Sequence, residues 1–145
     1  MRRALILAAA LVILSAAHAR HHRHATTEAH WSLLQGGSDI VTAARSQLGN
    51  GAIYGRATLW CARFVNWVLA RTGHRGTGSD AAVSFSRLPA TTLHPGAIAV
   101  MNHHVGIVSG VSASGDPVIV SGNNACRVRE GAVSRRRVLR FVEAE

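Results

Sequence analysis

Three side chains occur in an order that suits nucleophilic chemistry: Cys61 in LWCARFVNWVLARTG, His104 in HHVGIVSGV and Asn123 in DPVIVSGNN. A thiol becomes a strong nucleophile once a base takes its proton. The imidazole that serves as base is in turn oriented by a third polar group. Each residue also has a plain reading. A cysteine is often a small buried hydrophobe, two histidines can simply open a strand, and SGNN is ordinary turn chemistry.

The elements around them decide how far this chemistry is available. Cys61, Phe64, Val65, Val68 and Leu69 recur at helical spacing, which predicts a helix over about 60–72 with one core-facing stripe, ended by Gly73. Cys61 lies on that stripe in the first turn. There the N–H groups lack helical partners and the positive end of the dipole favours a thiolate. In HHVGIVSGV, alternation puts His104, Gly106 and Val108 on one face and His103, Val105 and Ile107 on the other. Gly106 has no side chain, so a helix lying on the first face would bring His104 toward the thiol and leave His103 facing away. Asn123 ends the next strand on the same face as Ser121, in reach of an imidazole Nδ1.

Elsewhere, SDIVTAARSQLG (38–49) reads as a helix capped by Ser38 or Asp39 and ended by Gly49. A glycine-rich loop, GNGAIYGRAT, follows it, and SDAAVSFSRL reads as a short third helix capped by Ser79. After Pro89 the periodicity changes. AIAVM, HVGIVSGV, PVIVSG and RRVLRFVE are short β-branched runs separated by glycine, proline and asparagine, which predicts an antiparallel sheet. Helices first and strands afterwards is the α+β pattern.

With these blocks in order, the chain resembles a CHAP domain, the cysteine, histidine-dependent amidohydrolase/peptidase branch of the papain-like fold. WCARFVNWVL, GTGS (76–79), HPGAIAVM, HVGIVSGV and VIVSGNN carry the resemblance, which covers about 38–140. It implies a papain-like α+β domain with N-terminal helices packed on a small antiparallel sheet. It also implies Cys61 as nucleophile, His104 as base and Asn123 as the third group, with no metal or cofactor. The implied substrate is peptidoglycan, cut at the N-acetylmuramoyl–L-alanine bond or within the stem or cross-bridge peptide. The chain departs from the common pattern twice. Ser121 stands where many CHAP domains carry glutamate, and Ala97 follows Pro-Gly where aspartate is frequent. Tyr54, in the glycine-rich loop, is a candidate for the cleft wall or for packing, and Trp60 and Trp67 for the core or the cleft wall.

The N-terminus predicts export. MRR, the apolar run 4–14 and Ala17-His18-Ala19 form a signal peptide cleaved after Ala19, too short in its apolar part to span a bilayer. No cysteine follows that run, so no lipid anchor is expected, and the mature protein is periplasmic or secreted. Residues 20–37 form a His- and Arg-rich lead-in to a domain over 38–145.

Losing Arg2 and Arg3 takes the net charge from +9 to +7, and all sixteen basic residues are arginine. Such a charge suits an anionic wall polymer, or simply a solvated surface. No basic run is interleaved with aromatics in the way single-strand binders require, and nucleic-acid binding would rest on charge alone, so no nucleic acid is expected. His21, His22, His24 and His30 offer opportunistic metal binding, with nothing to orient their imidazoles. Export also raises a rival reading, in which Cys61 and Cys126 form a disulfide and the domain binds wall or protein without cutting. That bridge requires Cα atoms within about 7 Å.

Overall fold

The computed structural model describes residues 39–51 and 59–145, all within one compact unit, Gly36–Glu145. Ser38, Tyr54, the apolar N-terminal run and the histidine-rich tract lie outside the described residues. Residues 39–45 are helical (α1), with Ile40, Val41 and Ala44 buried. The chain then turns through Gly49, whose φ of 84° suits a residue without Cβ. A second helix, α2, runs Cys61–Arg71. His74 N–H donates to Leu69 O at 2.9 Å past Gly73, which has φ 76°. That long bond closes the helix as a Schellman motif does.

The expected third helix is a 3₁₀ turn over Ala82–Arg87 instead. Ser79 starts it from outside, its Oγ accepting the Ala81 N–H at 3.1 Å. Within this run of six residues the Ser84 hydroxyl is taken up by Thr77 at 2.8 Å, and short runs of this kind are where 3₁₀ geometry occurs.

Five strands follow: β1 (Ile98–Met101), β2 (His104–Val111), β3 (Pro117–Asn124), β4 (Arg127–Ala132) and β5 (Val138–Val142). They form an antiparallel sheet in the order β4-β3-β2-β1-β5. The molecule is therefore an α+β domain with a small five-stranded antiparallel sheet and few helices. β4 was not expected from sequence. It is a polar edge strand in which only Val128 is buried, so it carries almost no hydrophobic period.

Both faces of the sheet are covered. On one, Ile98, Val100, Val105, Ile107, Val120 and Val142 join the apolar stripe of α2 and the buried side of α1. On the other, Ala97, Ala99, Met101, Val108, Ile119 and Phe141 form a second cluster. Phe64, Val65, Val68 and Leu69 are each 0% exposed, and each contributes about 1.5–3 kcal/mol by leaving water.

α2 lies on the face of Val105 and Ile107, so Gly106 does not make room for it as the alternation argument anticipated. A Cβ at Gly106 would meet Ile119 Cγ2 at 2.5 Å and Ser121 Cβ at 2.9 Å. The glycine admits β3 side chains of the other face. The close approach of α2 falls on β3 instead, where a Cβ at Gly122 would meet Phe64 Cβ and Trp60 Cζ3 at 2.6 Å. The sheet residues of the Val105 face that are buried under the helix are all valine or isoleucine.

Candidate active site

Cys61 is the first residue of α2, and no acidic residue occupies that first turn. Its side chain is almost fully buried but lines a pocket of about 390 Å³ together with Leu59, Asp80, Met101, Asn102 and His103. Asp80 is balanced within the wall: Arg63 Nε donates to its Oδ1 at 3.0 Å and Nη2 to its Oδ2 at 2.7 Å. A thiolate at Cys61 would therefore not face a bare carboxylate. Behind the pocket, Asn66 clamps the loop that leads into Asp80. Its Oδ1 accepts from Thr77 N–H at 2.9 Å and Gly78 N–H at 3.2 Å, and its Nδ2 donates to Ser79 O at 2.9 Å.

His104 opens on a second pocket of about 360 Å³, on the face away from α2, with Ser121, Asn123 and Arg137. The structure thus brings His104, Ser121 and Asn123 together and gives Cys61 a different histidine, His103. Met101 lines both pockets. Burial pushes the His104 pKa below its ordinary value, and the charge of Arg137 adds to the effect. The imidazole is accordingly neutral at pH 7 and able to accept a proton.

Trp60, for which core and cleft wall both stood open, is 0% exposed and packs on Gly122. It is a core residue whose ring fills the space the glycine leaves, and it lines neither pocket among the described residues. Tyr54 lies outside the described residues. Cys61 and Cys126 are both free thiols, the first buried and the second exposed in the β3–β4 turn.

Backbone strain concentrates here. Among the described residues, Leu59, His103, Asn123, Ala125 and Cys126 are the non-glycine residues with positive φ, between 51° and 60°. Leu59 and His103 line the first pocket, Asn123 and Ala125 the second. Such conformations cost on the order of 1–3 kcal/mol each and gather where the surrounding structure must aim particular groups. Sequence reading did not single out Met101, Asp80 or Arg137 as pocket residues. Arg137 carried a weak signal as the last of the Arg135–Arg137 run, and the other two carried none.

Among the described residues, no group of three or more His, Cys, Asp or Glu side chains could hold a metal ion. No helix among them is long and apolar enough to cross a membrane. Comparisons of the chain with family models, curated proteins and solved structures returned no match.

Proposed function

We propose that this chain is an exported, papain-like cysteine amidohydrolase that opens an amide bond of peptidoglycan. In this reading Cys61 is the nucleophile, His104 the base and Asn123 the group that orients the imidazole. The observation that carries it is the position of Cys61, first residue of a helix and at a pocket. The substrate class rests on the CHAP resemblance. The expected export and the excess of arginine agree with an anionic wall.

The chemistry runs in two halves. The imidazole takes the thiol proton, and the thiolate attacks the amide carbonyl carbon. First-turn N–H groups of α2, which lack helical acceptors, stabilise the oxyanion. The C–N bond breaks as the imidazolium returns its proton to the departing amine, leaving a thioester. Water then attacks the thioester, the imidazole taking its proton, and the acid leaves as the thiol is restored. His104 performs these transfers only if its ring reaches past Met101, the residue common to both pockets. Because His103 already shares the Cys61 pocket, the test must separate the two histidines.

That test is release of muropeptides from purified sacculi, read by mass spectrometry, with wild type beside Cys61→Ala, His103→Ala and His104→Ala. Loss of release in Cys61→Ala and His104→Ala supports the reading, and the fragment masses name the bond. Loss in His103→Ala alone transfers the base to His103. Folded wild-type protein that binds sacculi and releases nothing replaces hydrolysis with a wall-binding role.

A further inference from the structure

The second pocket holds more than an imidazole. Ser121 also lines it, and that residue is 4% exposed. The hydroxyl makes no hydrogen bond among the described residues, whereas those of Ser109 and Ser84 are both engaged. It is not among the fully enclosed polar atoms, so it is open to the pocket and free to bond a ligand there. Asn123 and Asn124 add amide donors at the rim, and Arg137 adds a guanidinium. No aspartate or glutamate lines the pocket among the described residues. The nearest acid along β4, Glu130, belongs to the opposite face, where Arg45 and Ser109 hold it. Arg137 makes no ion pair among the described residues.

We infer that this pocket binds the free carboxylate of a peptide, held by Ser121 Oγ and the Asn123 amide and paired with Arg137. A planar guanidinium beside two neutral donors matches the two oxygens of a carboxylate. The volume, about 360 Å³, is near the lower end of the usual range for ligand sites, roughly 300–1,000 Å³. It has room for one acidic residue rather than a glycan strand. The choice of a peptide acid over a phosphate rests on the amidohydrolase reading above, since the stem of a wall peptide carries free carboxylates beside its amide bonds. His104, neutral at pH 7, brings no second positive charge and leaves Arg137 as the counter-ion.

The test is direct binding, followed by amide chemical shifts of the folded mature protein. The probes are N-acetyl-D-alanine, its uncharged amide, and inorganic phosphate. The expected result is saturable shifts at Ser121 and Asn123 with the acid and none with the amide. Arg137→Gln should weaken the acid at least about tenfold, as loss of a charge-assisted pair would, and Ser121→Ala should weaken it by a smaller factor. Arg137 is exposed, so its replacement leaves the fold intact, and the variant's spectrum checks that. Equal binding of acid and amide, or an Arg137→Gln variant that binds as wild type does, overturns the inference. Phosphate that binds at these residues and excludes the acid also overturns it, in favour of a phosphate site. Binding does not depend on turnover: acid binding without muropeptide release sinks the hydrolase reading alone, whereas release without acid binding sinks the carboxylate pocket alone.

Discussion

His103 and His104 are adjacent in sequence and open on different pockets, His103 beside Cys61 and His104 beside Asn123. The hairpin turn between β1 and β2 divides them. Met101 pairs with His104 across the ladder, and His103 adopts φ 58° between them. Their separation follows the alternation of β2: His103 goes with Val105 and Ile107, the face that α2 covers, and His104 with Gly106 and Val108.

That division gives the two histidines different signatures in kinetics. With His104 as base, kcat/KM for wall cleavage keeps its value as pH falls to about 6.5 and declines only below it, because burial and Arg137 hold the imidazole neutral. Replacing Arg137 with glutamine should move that acid limb upward. A limb that stays put in this variant, in a pH profile of cleavage, would detach His104 from the base role.

The thiols should be independent. Alkylation after unfolding without reductant should add two labels per chain, because Cys61 and Cys126 are both free. Cys126→Ala should leave cleavage unchanged, while Cys61→Ala should abolish it, a loss of about 100-fold or more. Intact mass and the sacculus assay read the two results separately.

Gly122 lies against Trp60 and Phe64 with no room for a side chain. Gly122→Ala forces a Cβ to 2.6 Å from Trp60 Cζ3 and Phe64 Cβ, and should destabilise by about 1–3 kcal/mol in urea unfolding. Gly110→Ala, with nothing within 4 Å of the new atom, is the matched control and should stay within about 0.5 kcal/mol.

Asn66 supports the loop below the Cys61 pocket through three hydrogen bonds to backbone. Asn66→Ala leaves the Thr77 and Gly78 N–H groups and the Ser79 carbonyl without that partner, at a cost of about 1–3 kcal/mol. Asn66→Asp keeps the acceptor but loses the donor to Ser79 O, and should cost less. Urea midpoints of the two variants test the order.

Stability should fall on the acid side in two stages. His104 has a folded pKa below its ordinary 6.5, so the unfolded chain binds more protons and stability drops as pH falls from about 6.5 toward the folded value. Glu130 is held below its ordinary 4.5, first by the hydrogen bond from Arg45. Its contribution is present above 4.5 and disappears as pH falls through the lower folded value. Thermal unfolding of His104→Gln should lack the first stage and retain the second. The second stage should be small, because the Arg45 side chain is 48% exposed and solvent screens the pair.

The stripe of α2 and the alternation of β2 were legible in the sequence because both depend only on the spacing of side chains along one element. The same holds for the α+β order, and for Cys61 at the start of its helix. β4 was invisible because an edge strand packs one residue, Val128, and its pairing with β3 is made by backbone groups that every residue carries. The side of the sheet taken by α2 was equally hidden. β2 is buried on both faces from Val105 to Ser109, so its pattern does not say which face receives a helix. That choice depends on how Ile98, Val100, Ile107 and Val120, brought together from three strands, fill volume under Phe64 and Val65. Local spacing placed Cys61, His104 and Asn123 on their elements. Only the packing of one element against another, a matter of shape and volume between distant residues, decided that the cysteine faces one pocket and His104 with Asn123 another.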